Sequence, residues 1–328
     1  MAEAVAAVGR DDLADVASSL FFIVGTSRSG TTLLQALLNA HSRICIPPET
    51  HFFTYEEEFE GRPSRLLDAG GAPSFTRFLF DEKRRLDDLG LDKKPLLRAA
   101  DRLDVSSKRA LFLLIASIYR ERVGKEIVGE KTPRHLLQVE KLAQRYPDAR
   151  FLVLFRDPRA KALSERKVPF GSPSLFVSAR RWRRYVQEYR RLTDVLGDDR
   201  YYQTTYETIV RNTKSEAKQI AFFLDVDFED GMLAFYDRDE AEKGYPERED
   251  WKQNTMKPIQ HDHIDKWKGE LSTREIALVE RTAGACLEEM GYEPVGRGTM
   301  STGEFLTTWA GDYWKTVRKD LRSVLGHS

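Results

Sequence analysis

Short apolar runs alternate along most of the chain with longer segments whose apolar residues recur every three or four positions. The first kind reads as buried strands and the second as helices laid against them. Strands are predicted at Phe21–Val24, Arg43–Ile46, Glu126–Gly129, Phe151–Phe155 and Arg200–Thr204. Helices are predicted at about 31–40, 74–87, 107–123, 134–146, 158–167, 175–196, 213–224 and 273–290. This alternation argues for an α/β fold, a parallel sheet with helices on both faces. Ligands of such sheets bind beyond the carboxyl ends of the strands, so the residues after each strand carry the candidate chemistry.

After the first strand comes Gly25-Thr26-Ser27-Arg28-Ser29-Gly30, and a helix opens at Thr31. Two glycines let the backbone turn its N–H groups inward, and the positive end of the helix adds its field. The pattern is that of a phosphate-binding loop. Its spacing, Gly-x4-Gly-Thr-Thr, matches a nucleoside-triphosphatase loop except that Thr31 stands where the lysine belongs. The cation has moved into the loop as Arg28. A second motif follows the fourth strand: Arg156-Asp157-Pro158-Arg159, then a helix carrying Ser164. Asp157 suits the helix cap and Pro158 its first turn, where a missing N–H is not felt.

Composition narrows the field. The 328 residues hold 41% hydrophobic side chains, enough for one large α/β domain. Lys plus Arg and Asp plus Glu are 52 each, so the net charge is zero. That argues against general nucleic-acid binding, which needs a basic excess. Two cysteines, Cys45 and Cys286, make no disulfide framework, and the six histidines form no metal-ligand cluster, so no metal is expected. Met1 to Leu20 lacks the basic start and long apolar stretch of a secretory signal. The apolar run Leu111–Ile118 is too short to cross a membrane. The expectation is a cytoplasmic protein without a transmembrane segment.

Arg28-Ser29-Gly30-Thr31-Thr32 resembles the 5′-phosphosulfate loop of sulfotransferases, which use 3′-phosphoadenosine 5′-phosphosulfate (PAPS). Arg156 and Ser164 have the spacing of that family's 3′-phosphate motif. The resemblance covers about 20 to 295. It implies a P-loop-type sheet in a single domain at 20–295, with 51–106 as an acceptor-side insertion, after an N-terminal extension at 1–19 and before a C-terminal tail at 296–328. It also implies PAPS as co-substrate, adenosine 3′,5′-bisphosphate as product, and a hydroxyl acceptor: sugar, lipid, phenol or peptide.

Glu49, in Pro47-Pro48-Glu49-Thr50, follows the second strand and is the candidate base, as in the tyrosylprotein branch and many bacterial relatives; the chain resembles a bacterial-type branch similar to the tyrosylprotein enzymes. Cytosolic small-molecule sulfotransferases have Lys-Thr-His where this chain has Lys131-Thr132-Pro133, so their histidine base is missing. His51 is the rival base, and His135 reads as structural. By the same resemblance Lys131 and Arg28 stabilise the transferring sulfuryl group and the leaving oxygen, Tyr206 contacts the adenosine, and Lys257 and Lys266 close over the donor. The lid resemblance runs through Asn254-Thr255-Met256-Lys257-Pro258 and Lys266-Trp267. The Arg-Lys-Gly-x-x-Gly motif of the cytosolic enzymes is absent, and Val168 replaces an arginine of the tyrosylprotein branch.

Three further readings concern surroundings. The aromatic residues of 51–106 suggest an apolar or ring-bearing acceptor. The run Arg180, Arg181, Arg183, Arg184, Arg190, Arg191 suits an acidic acceptor or a solvated helix face. The tail, with Phe305, Trp309, Tyr313 and Trp314 beside Lys315, Arg318, Lys319 and Arg322, reads as an amphipathic helix packed on the body, with peripheral membrane contact as the alternative. The competing functions are a P-loop kinase or NTPase and a non-catalytic nucleotide-binding protein.

Overall fold

The computed structural model describes residues 2–62, 71–237, 257–296 and 300–325. Two helices, α1 (Ala2–Ala7) and α2 (Arg10–Ser19), precede β1 (Phe21–Gly25) and α3 (Thr31–Asn39). Then come β2 (Ile44–Cys45), α4 (Phe52–Glu60), α5 (Ala72–Phe78), α6 (Lys93–Arg102) and α7 (Lys108–Val123). The middle of the chain adds β3 (Ile127–Lys131), α8 (Val139–Arg145), β4 (Arg150–Phe155), α9 (Pro158–Glu165) and α10 (Leu175–Val195). The remainder is β5 (Tyr201–Thr205), α11 (Tyr206–Arg211), α12 (Thr213–Phe223), α13 (Lys266–Glu270), α14 (Thr273–Ala283), α15 (Cys286–Glu289) and α16 (Thr302–Leu325).

The five strands form one parallel sheet in the order β2-β3-β1-β4-β5. Both faces are covered, which explains why the strands read as continuous apolar runs rather than alternating ones. Phe22, Val24, Phe151 and Val153 enter the core on one face, packed under α7 and α4. Phe21, Ile23, Leu152 and Leu154 enter the core on the other, packed under α3 and α12. Strand β1 sits centrally, with Gly25 beside Leu154 of β4 and Ile23 beside Lys131 of β3. Three chain segments therefore emerge side by side at one sheet edge, after β1, β3 and β4. The expected α/β sheet with helices on both faces is present.

Boundaries moved where local chemistry intervened. The helix expected at 134–146 starts as a 3₁₀ turn, Pro133–Gln138, before α8. Buried Glu130 holds the first part of that turn, accepting from the Thr132 hydroxyl at 2.6 Å and lying 2.9 Å from His135 Nδ1. The helix expected at 273–290 breaks at Gly284, whose φ of 65° ends α14. The helix expected at 74–87 stops at Phe78 and passes into a wider turn, Leu79–Lys83.

The aromatic residues of the 51–106 segment are core, not acceptor surface. Phe52, Phe53, Phe59, Phe75, Phe78 and Phe80 are buried in the cluster that includes Phe112 and Tyr146. Phe52 meets Phe75 at 5.1 Å between ring centroids, and Phe53 meets Phe112 at 4.8 Å. They anchor the start of α4 and with it the preceding Glu49–His51. Val5 of α1, Val16 of α2 and Val8 between them join the same core. Helix α16 packs through Phe305 and Trp309, and its buried Asp312 accepts from the Ser174 hydroxyl and the Phe176 amide. Leu306, Tyr313 and Trp314 of α16 are exposed. No helix among the described residues is long and apolar enough to cross a membrane.

Gly25 shows how closely the loop is held to β4. A methyl group there would lie 2.0 Å from the Leu154 carbonyl oxygen. Gly25→Ala is expected to lower the unfolding free energy by about 2 kcal/mol or more. Gly311→Ala, in open space on α16, is expected to be neutral or stabilising by up to about 1 kcal/mol. Urea unfolding followed by circular dichroism checks both; an unperturbed Gly25→Ala contradicts this packing.

Candidate functional site

The loop after β1 is built by glycines and cross-links. Gly30 has φ 88°, and a methyl group there would meet the Tyr206 ring at 2.5 Å. Arg28 has φ 64°, a left-handed conformation that costs a non-glycine residue about 1 kcal/mol or more. Contacts on every side hold it there. The Thr26 and Ser29 hydroxyls, both buried, bond each other. The Ser27 hydroxyl donates to Glu165 at 2.7 Å, and Arg28 Nε donates to the Ser164 hydroxyl at 3.1 Å. Residues 164 and 165 end α9, so the loop is tied to the helix after β4. Helix α3 points its N-terminus at this region, with Thr31 and Thr32 in its first turn and no side-chain cap at Gly30.

Arg156 follows β4 directly. It donates to the Arg28 carbonyl at 3.4 Å and to the His263 carbonyl at 2.7 Å. Its guanidinium lies 4.1 Å from the centroid of the Tyr206 ring, within cation–π range. Its Nε is buried and has no hydrogen-bond partner. Burial and the neighbouring Arg156 both depress the Arg28 pKa, against the pull of Glu165 and Glu49. Two guanidinium groups held together this way raise each other's energy, and a bound anion relieves both. The orphaned Nε supplies a donor for that anion. The residues thus fit a ligand with phosphate-like groups at two points.

Glu49 lies across from the loop. Its Oε1 accepts from Lys131 Nζ at the end of β3, and its Oε2 lies 3.4 Å from His51 Nε2. Lys131 is fully buried, while Glu49 keeps a fifth of its side chain exposed toward the cleft. Burial depresses the His51 pKa more than Glu49 raises it, so its imidazole is neutral near pH 7. Thr50 donates to Glu130 at 3.4 Å, which links the Glu49 loop to the turn after Lys131. His135 is buried against Glu130 and stands away from the cleft, in a structural position.

Arg28, Gly30, Thr31, Thr32, Glu49, Arg156, Ser164, Tyr206, Lys257 and Lys266 all line one cleft of about 1760 Å³. Ser29 and Lys131 sit behind its wall. Lys257 and Lys266 are exposed, and Lys266 lies 3.8 Å from Glu270 on its own helix. Asn254, Thr255 and Met256 of the expected lid lie outside the described residues. Sequence reading passed over the buried pair Lys161–Glu165, at 2.9 Å, which underlies the loop, and over Arg134 and Tyr185 on the cleft wall. An i, i+4 Lys-Glu pair reads as a surface helix pair, so nothing flagged it as buried. Among the described residues, no group of three or more His, Cys, Asp or Glu is placed to hold a metal ion.

The sulfotransferase family model matches residues 21–230. Protein-tyrosine sulfotransferase of Drosophila melanogaster is 26% identical over 294 residues, 84% of this chain and 52% of that protein. The chain therefore spans about half the length of that relative. Omega-hydroxy-beta-dihydromenaquinone-9 sulfotransferase Stf3 of Mycobacterium tuberculosis is 24% identical over 339 residues, 85% of this chain and 76% of that protein. The solved sulfotransferase domain of the Synechococcus PCC 7002 olefin synthase shares the fold, with a TM-score of 0.58 at 20% identity over 84% of this chain and 95% of that one.

The Lys161–Glu165 pair makes the loop's anchor testable. Burial pushes the Glu165 carboxyl up, but Lys161 and the Ser178 and Ser27 hydroxyls pull it down further, so it titrates below its ordinary value. A folded-state value below the unfolded one gives stability that is complete above the ordinary carboxylate range and lost as pH falls through it. Glu165→Gln leaves Lys161 unpaired and is expected to cost about 3 kcal/mol near neutral pH. Unfolding free energies measured between about pH 5 and 3 should fall more steeply for the parent than for Glu165→Gln. Parallel curves contradict the assignment.

Proposed function

The chain belongs to the sulfotransferase family, and from that premise we propose that it transfers the sulfuryl group of PAPS to a hydroxyl of its acceptor. One observation carries the reading. The anion site at the loop and the N-terminus of α3 is bonded directly to the anion site at Arg156 and Ser164, through Arg28 Nε to Ser164 and Arg156 to the Arg28 carbonyl. One nucleotide with a 5′-phosphosulfate and a 3′-phosphate matches that pair of sites. Tyr206, beneath Arg156 and against Gly30, offers its ring to the adenosine between them.

In this reading the backbone of residues 25–30, Ser29, Thr31 and Thr32 hold the 5′-phosphate, and Arg156 and Ser164 hold the 3′-phosphate. Glu49 takes the proton of the acceptor hydroxyl. The acceptor oxygen forms a bond to sulfur as the bond from sulfur to the bridging phosphate oxygen breaks. The products are a sulfate ester and adenosine 3′,5′-bisphosphate. Negative charge grows on the leaving phosphate, where the Arg28 fork stabilises it without a proton transfer. Lys131, buried behind the cleft wall and held by Glu49, is assigned to the sulfuryl and bridging oxygens by the family resemblance. Lys257 and Lys266, exposed on the rim, are assigned to covering the donor. The named relatives differ in acceptor, protein tyrosine for one and an ω-hydroxy-dihydromenaquinone for another, so this chain's own cleft must set its choice.

Glu49→Gln keeps the size and the acceptor oxygen for Lys131 but takes up no proton. Under saturating PAPS it is expected to reduce turnover by about 10²–10⁴-fold with donor affinity nearly unchanged. His51→Ala is expected to do much less. Near-normal turnover of Glu49→Gln with loss in His51→Ala would move the base to the histidine. Arg156→Ala is expected to weaken adenosine 3′,5′-bisphosphate by about 10–100-fold and 5′-AMP hardly at all, since only the former carries a 3′-phosphate. Equal weakening of both, measured by calorimetry, contradicts the role given to Arg156.

A further inference from the structure

The cleft carries more positive charge than its proposed donor uses. Among the described residues, twelve arginines and lysines line it against two carboxylates, Glu49 and Asp87, in a chain with no net charge. Some of these cations are already matched. Lys83 pairs with Glu58, Arg84 with Asp87, Arg85 with Asp88, Lys161 with Glu165 and Lys167 with Glu270. Arg28, Arg156 and the two rim lysines face the proposed donor. Arg134, Arg181 and Arg184 remain.

These three come together. Arg134 lies in the 3₁₀ turn three residues after Lys131, and helix α10 packs against that turn. Residues 181, 184 and 185 share one face of α10, one helical turn apart. All three arginines line the cleft, all three are exposed, and none forms an ion pair among the described residues. Tyr185 stands among them on the same wall. Burial pushes its phenol up to about 12, against the pull of Arg134, Arg181 and Arg184 and with some support from Glu165. It is therefore a hydroxyl donor at neutral pH. Glu165, the carboxylate on this side, is already taken by Lys161 and Ser27.

Resting on the sulfotransferase reading, we propose that Arg134, Arg181, Arg184 and Tyr185 form a binding site for a phosphate or sulfate group on the acceptor itself. Three planar forks and one hydroxyl offer more donors than a single carboxylate can use, and they suit the three terminal oxygens of a phosphate or sulfate ester. Arg134 follows Lys131 so closely in the chain that the anion would sit on the acceptor side of Glu49. The acceptor is then an anion bearing a free hydroxyl, and its product carries at least two negatively charged groups.

Calorimetry on the full chain saturated with adenosine 3′,5′-bisphosphate tests this, with phenyl phosphate, phenyl sulfate and phenol as probes. Both anions are expected to bind, and phenol at least about ten-fold more weakly. A preference between the two anions tells which ester the site takes. Arg134→Gln and the double variant Arg181→Gln/Arg184→Gln should each weaken the anions by about ten-fold or more, with the affinity for adenosine 3′,5′-bisphosphate and the thermal midpoint unchanged. The inference is overturned if neither anion binds, if phenol binds as tightly as the anions, or if the variants bind the anions like the parent. Failure of the chain to bind adenosine 3′,5′-bisphosphate at all would instead sink the donor assignment on which the inference rests.

Discussion

Everything at this site depends on one mechanical link, the attachment of the loop after β1 to the helix after β4. Ser27 is held by Glu165 and Arg28 by Ser164, while Arg156 reaches back to the Arg28 carbonyl. Lys161 holds Glu165 from below in a fully buried pair. Parallel pairing of β1 with β4 makes the link possible, because it brings the two strand ends level at Gly25 and Leu154. The spacing between the two proposed phosphate-binding positions is thereby set by the sheet rather than by a flexible loop. Preorganisation of that kind reduces what binding must spend on ordering the site.

The same link explains why like charges tolerate each other here. Burial disfavours the charge on Arg28, and the neighbouring Arg156 adds to it. Carbonyl acceptors, the Ser164 hydroxyl and the Tyr206 ring share the load, yet one guanidinium N–H stays unpartnered. A chain with no net charge has lined one cleft, among its described residues, with twelve arginines and lysines and two carboxylates. Such a field draws anions in and raises their local concentration.

Much of the fold was legible because strand burial on both faces writes uninterrupted apolar runs into the sequence, as at Phe21–Val24 and Phe151–Phe155. The loop and strand-helix motifs that line the cleft were legible because glycines and cations are local features: Gly25, Arg28 and Gly30 in one loop, Arg156 and Ser164 in one strand-helix unit. What escaped is contact between distant segments. Nothing local marks Lys161 and Glu165 as buried, or sets Arg134 beside Arg181 and Arg184. The aromatic segment 51–106 misled for a related reason, since composition does not say which way a side chain points, and Phe52, Phe53 and Phe75 point into the core. The break at Gly284 and the tight turn after Lys131 depend on single residues, a glycine with positive φ and the buried Glu130.

The central claim is that two bonded anion sites hold one nucleotide by both its phosphates. Thr31, at the place of a triphosphatase lysine, leaves the β,γ-phosphates of ATP without their usual cation. Calorimetric titration in EDTA with adenosine 3′,5′-bisphosphate, set beside ATP with Mg²⁺, decides between the two most directly. The account predicts one molecule of the bisphosphate per chain, bound without added metal and at least about ten-fold tighter than ATP with Mg²⁺. Tighter binding of ATP with Mg²⁺, accompanied by its hydrolysis, would contradict it.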